Sequence, residues 1–128
     1  MNKWMFLWGI ILLTSCMPNA DSPLLGEWKV EDRFHSATYQ ILSQNRKTVG
    51  RVLLYDDGTT HYVWQPENAR YIFQDVEEQG GLYVNGLSGA TSQNSAKSHE
   101  IEVVHPDTLK VTSFHGELSI SELWIRNN

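Results

Sequence analysis

Along most of this chain polar and apolar residues alternate with a period of two. Trp28 and Val30 share one face of an extended segment, and Glu27, Lys29 and Glu31 share the other. That pattern marks a strand with one side buried. Residues 49–55 are rich in β-branched and aliphatic side chains. Asp56-Asp57-Gly58-Thr59 turns the chain back, since glycine takes positive φ without steric cost. The returning strand, residues 60–65, sets Tyr62 and Trp64 on one face, and residues 70–76 set Tyr71 and Phe73 together. Further strands are predicted over 82–84, 99–105, 108–114 and 118–126, with turns at Pro106-Asp107 and His115-Gly116-Glu117.

Three stretches are less regular. Residues 34–47 carry two periods: Tyr39 and Ile41 alternate, while Phe34, Thr38, Ile41 and Leu42 also fit one helical face. The alternation favours a strand. Glu77-Glu78-Gln79-Gly80-Gly81 reads as an acidic turn, and residues 85–98, small and polar throughout, as a long loop. Eight or nine short strands at regular spacing, with no helical period that outweighs the alternation, predict an all-β fold: a small antiparallel barrel or sandwich in one domain over residues 24–128.

The amino terminus is different. Met1-Asn2-Lys3 precedes an uncharged apolar run from Trp4 to Leu13, about ten residues, whereas a transmembrane helix needs roughly twenty. The run therefore reads as a signal-peptide core. It ends in Leu13-Thr14-Ser15-Cys16, which resembles the lipobox of bacterial lipoproteins. The resemblance implies removal of residues 1–15, lipid (palmitate among the acyl chains) on the Cys16 thiol, and a flexible linker over residues 16–23. Two or more acyl chains anchor stably where one binds marginally. In Gram-negative lipoproteins an aspartate after the cysteine commonly marks inner-membrane retention; with Met17 there, the resemblance implies outer-membrane sorting in a cell envelope of that type. Cys16 is the sole cysteine, so the domain has no thiol for a disulfide, a thiolate zinc site or a nucleophile.

Gly26-Glu27-Trp28 at the first strand and Arg126 at the end of the last resemble the signature of lipocalins and small lipocalin-like lipoproteins. The resemblance implies a barrel in which Trp28 plugs the closed end and Arg126 packs over its ring, joining first and last strands. A cation over an indole contributes about 0.5–2 kcal/mol.

Charge narrows the partners. The formal net charge is −5, and losing Lys3 with the signal peptide makes it more negative, which disfavours nucleic acid. The loop segment Ser88-Gly89-Ala90-Thr91 resembles the flavinylation motif of FMN-binding domains and would place covalent FMN on Thr91, although Asn85 stands where that motif has aspartate. Among the five histidines, His99, His105 and His115 fall on neighbouring strands, but turn positions and the lack of His-x-x-x-His argue against the convergence zinc needs, so no metal site is expected. Glu27, Glu31 and Asp32, and again Asp75, Glu77 and Glu78, read as solvated acids. The chain has no Gly-x-Ser-x-Gly, His-Glu-x-x-His or phosphate-binding glycine loop. The expectation is a non-enzymatic lipoprotein binding a small apolar ligand or an envelope protein, with Tyr62, Trp64, Tyr71 and Phe73 as candidate ligand contacts. The alternatives are a redox carrier with FMN on Thr91 and an inhibitor or assembly factor.

Overall fold

The computed structural model describes residues 22–85 and 98–127. Among them are ten strands: β1 (Gly26–Glu31), β2 (Ser36–Gln44), β3 (Lys47–Asp56), β4 (His61–Val63), β5 (Tyr71–Phe73), β6 (Glu77–Gln79), β7 (Leu82–Asn85), β8 (Ser98–His105), β9 (Thr108–His115) and β10 (Leu118–Arg126). The described residues include no helix long and apolar enough to cross a membrane. Nine strands pair antiparallel along one path, β4-β3-β2-β1-β10-β9-β8-β7-β6, and β5 pairs with β3. The sheet curls into a half-barrel, the all-β architecture that the alternation predicts.

First and last strands meet in the middle of the path, with Trp28 opposite Arg126 and Lys29 opposite Ile125. The ambiguous segment 34–47 resolves as β2 because it is paired on both sides, Tyr39 lying opposite Trp28 on β1 and opposite Val52 on β3. The acidic stretch differs from its reading as a turn. Glu77 and Glu78 form an edge strand opposite Val84 and Tyr83, and only Gly80 and Gly81, with φ +61 and +90, make the turn. Two successive positive φ values are what a two-residue hairpin loop requires. Charged residues on β6 also suit an edge.

A bulge between Thr38 and Tyr39 shifts the β2–β3 register, leaving Leu53 as the extra residue of β3. Inward residues of β3 therefore run Gly50, Val52 and then Tyr55, opposite Ile41, Tyr39 and Ala37. An extra residue on one strand re-aims every side chain beyond it. Here it turns Tyr55 inward.

Trp28, Tyr39, Phe73 and Trp124 are buried at the core, with Ile41, Val52, Ile101, Leu109 and Val111 around them. Tyr39 stacks on Trp124 with ring centroids 4.3 Å apart, and Phe73 lies parallel to Trp124 at 6.1 Å. His99 meets Phe73 edge-on at 5.7 Å. Phe73 crosses close over Gly50, where an added Cβ would lie 2.6 Å from the ring. These rings fill the half-barrel at mid-height. The two ends are distinct. The start of β1, the end of β10 and the β2–β3 turn lie at the base; the 31–36 connection, the end of β3 and the β9–β10 turn lie at the opposite end, the mouth.

Candidate functional site

At the base, the residues singled out in the first and last strands come together. The Arg126 guanidinium carbon sits 4.2 Å from the Trp28 ring centroid. Its Nη1 donates to Leu25 O at 2.9 Å, and Nη2 to Pro23 O at 3.1 Å and Pro106 O at 3.3 Å. The buried indole N–H of Trp28 donates to Leu24 O at 2.8 Å. Gly26 has φ +129, and a Cβ there would stand 2.6 Å from Arg126 Nη1. Glycine before Trp28 thus makes room for the arginine. Arg126 ties the incoming segment, the Pro106 turn and the first strand at one point. An open cleft of about 840 Å³ lies beside it, lined by Ser22, Leu24, Leu25, Arg46, Val76 and Tyr83 among others.

The mouth carries the grouped chemistry. A cleft of about 270 Å³ is lined by Asp32, Phe34, His35, Tyr39, Tyr55, Ser113, His115, Ile120 and Glu122. Its floor is Tyr39, which is stacked on the buried Trp124. Burial, then the charge of Glu122, holds the Tyr39 hydroxyl well above the usual phenol range, so it stays protonated. Burial and then Asp57 push the Tyr55 hydroxyl up as well. One wall is polar. His35 Nδ1 lies 3.2 Å from Asp32 Oδ1, and its Nε2 lies 3.6 Å from Glu122 Oε2. Asp32 Oδ1 also accepts the backbone N–H groups of Phe34 at 2.7 Å and His35 at 2.8 Å. Those bonds, His35 first, lower the Asp32 pKa. Glu122 Oε1 accepts the Trp124 indole N–H at 2.9 Å. The other wall is apolar, and its rim is exposed: Phe34 at 75% and Ile120 at 58%, with Leu118 nearby on the same strand.

The aromatic residues proposed from sequence as ligand contacts do not line this cleft. Phe73 is part of the core, and Tyr62 is buried with its hydroxyl donating to Asn68 O at 2.7 Å. Trp64 packs under the Arg51 guanidinium at 4.9 Å, and Tyr71 reaches Gln44 on the surface. Of the histidines, His99 is fully buried, and neither ring nitrogen has a hydrogen-bond partner among the described residues. His105 Nδ1 accepts the Asp107 N–H at 3.1 Å in its turn, and His115 lines the cleft. The converging set is instead Asp32, His35 and Glu122. Asp32, read from sequence as a solvated acid, belongs to it; His35 and Glu122 carried no local signal. Asp32-x-x-His35 is a turn motif, and Glu122 joins it only through the β1–β10 pairing. Cys16 and Thr91 lie outside the described residues.

No family model matches this chain, and neither a curated protein nor a solved structure matches it.

Proposed function

We propose that the protein is a lipid-anchored envelope lipoprotein with a non-enzymatic binding role, and that it binds a small apolar or aromatic molecule at the mouth cleft. The observation that carries this reading is the cleft itself: Phe34, Tyr39, Tyr55 and Ile120 surround an opening above a filled interior. Its volume lies just below the range of about 300–1,000 Å³ usual for ligand pockets, which limits the ligand to about one substituted ring. Its position also fits a tether. The chain enters the domain at the base through Pro23, held by Arg126, so lipid on Cys16 would leave the mouth facing away from the membrane. Acidity argues against nucleic acid as partner.

The deciding measurement is the intact mass of the protein from its host, under native and then denaturing conditions. Lipid on Cys16 persists through denaturation, and the cleft ligand is lost. Ile120→Asp, which places a charge on the rim, removes the ligand mass and leaves the lipid. A native mass equal to the denatured one overturns the small-ligand reading. A persistent gain mapping to the segment around Thr91 with flavin fluorescence would replace it with a redox carrier.

The exposed rim supports a second reading. Phe34 and Leu118, 75% and 71% exposed, are the kind of apolar surface that protein partners cover. An envelope protein, inhibited or assembled by this chain, would then occupy the mouth, and Phe34→Asp would abolish its co-purification.

A further inference from the structure

We infer that the polar wall of the mouth cleft is a binding site for one divalent first-row transition-metal ion, zinc being the probe of choice. The inference rests on the mouth being the binding end of the molecule, and it adds a ligand that the apolar wall does not explain.

The argument is geometric. One donor atom each from Asp32, His35 and Glu122 lies within 4.8 Å of the other two. The two sides of the imidazole are not equivalent. The 3.2 Å separation of His35 Nδ1 from Asp32 Oδ1 is a hydrogen-bond distance. The 3.6 Å separation of Nε2 from Glu122 Oε2 exceeds it. Two ligand atoms each about 2.1 Å from a tetrahedral ion stand about 3.4 Å apart, close to that wider spacing. An ion fits where a hydrogen bond does not.

Both partners are oriented from behind. Asp32 Oδ1 faces His35 Nδ1 at 3.2 Å and is itself fixed by the Phe34 and His35 backbone N–H groups. The other ring nitrogen, Nε2, lies 3.6 Å from Glu122 Oε2. A carboxylate on the far nitrogen is the usual support of a metal-bound histidine, fixing tautomer and ring plane. Glu122 has its Oε1 held by the fully buried Trp124, which leaves Oε2 for the ion. The His35 and Glu122 side chains are only 17% and 21% exposed, so the ion would be partly withdrawn from water yet reachable through the mouth. Two carboxylates against one imidazole complement a dication. Nitrogen and oxygen donors without thiolate suit zinc or its neighbours. His35 and Glu122 are the direct ligands, Asp32 the orienting residue, and water completes the shell.

The test is calorimetric titration of the full-length lipidated protein, in detergent, with zinc chloride alone. One saturable site is expected. His35→Gln and Glu122→Gln each weaken it by about tenfold or more, whereas His105→Gln, at a distant turn, leaves it unchanged. Melting curves establish that each variant is folded; if Glu122→Gln is not, His35→Gln decides. Absence of saturable binding in the wild type, or equal affinity in folded His35→Gln, overturns the proposal. Loss of zinc binding with retention of the apolar ligand in native mass spectra would remove this inference alone. Zinc binding without such a ligand would remove the small-ligand reading alone.

Discussion

Gly26 lacks a side chain where Arg126 needs the space. An alanine there would meet both the guanidinium at 2.6 Å and a φ of +129 that L-residues avoid. Gly26→Ala is expected to destabilise the fold by roughly 2–3 kcal/mol, read from the denaturant midpoint. Arg126→Met keeps the stem but leaves the carbonyls of Pro23, Leu25 and Pro106 without their donor. A loss of about 1–3 kcal/mol is expected, and an unchanged midpoint would mean that the base is held without the arginine. His99 sets the acid side. Burial, then the nearby His115, lowers its pKa to about 4 from 6.5. The unfolded chain takes up this proton near pH 6.5 and the folded chain only near pH 4. Stability from this group is therefore complete above pH 6.5 and declines as pH falls toward 4, by about 3 kcal/mol in all. Urea midpoints at pH 7, 5.5 and 4.5 should fall more steeply for wild type than for His99→Phe. Parallel profiles would show that His99 protonates without penalty.

At the scale of elements, strand identity was legible and register was not. Trp28/Val30 and Tyr39/Ile41 announce their strands by local alternation, because burial of one face repeats every two residues. Glu77–Gln79 was illegible because no side chain of that strand is buried; pairing to β7 alone makes it a strand. The bulge opposite Thr38 and Tyr39 left no mark in the alternation of β3, yet it decides that Tyr55 faces the mouth. The β2–β3 hairpin offers a test of turn chemistry. Its loop residues, Asn45 and Arg46, have φ +54 and +67. Asparagine tolerates this conformation and arginine does not gain from it, whereas Asn-Gly is the favoured pair for such a turn. Arg46→Gly is expected to raise stability by about 0.5–1 kcal/mol in thermal melts, although glycine usually weakens a strand region. A lower melting temperature would mean that Arg46 makes contacts at the base worth more than the strain it carries.

Among the described residues the molecule is a sheet whose path ends, β4 and β6, do not pair as strands. On one side lie β4 and β5, on the other β6, and the chain returns from one to the other with the Val76 N–H donating to Thr48 O at 3.1 Å. The candidate site was illegible for a reason belonging to this scale. His35 and Glu122 sit at opposite ends of the sequence and meet only because β1 pairs with β10, and Tyr39 becomes the cleft floor only when Trp124 arrives to stack on it. The Gly26, Trp28 and Arg126 group was visible only as a resemblance of the two ends of the domain to a known signature, and that resemblance, not the alternation, implied their pairing. Unequal support across the sheet predicts where it opens. β1, β2, β9 and β10 are long, mutually paired and bury Trp28, Tyr39, Val111 and Trp124. β6 has three residues, all exposed, and β4 has three residues at the other end of the path. Local opening follows weak burial and short ladders. Hydrogen exchange followed by mass spectrometry should therefore show amides of residues 77–79 and 61–63 exchanging by local opening. Amides of residues 28–30, 109–113 and 122–125 should exchange last and with one common rate. A ligand or ion at the mouth contacts the 31–36 connection, β2, β9, β10 and the mouth end of β3 at Tyr55 rather than the seam, so it should slow the last group and leave the seam as it was. Uniform protection across all ten strands would show that the seam is as cooperative as the paired centre, and that the Val76 bond understates what closes the sheet.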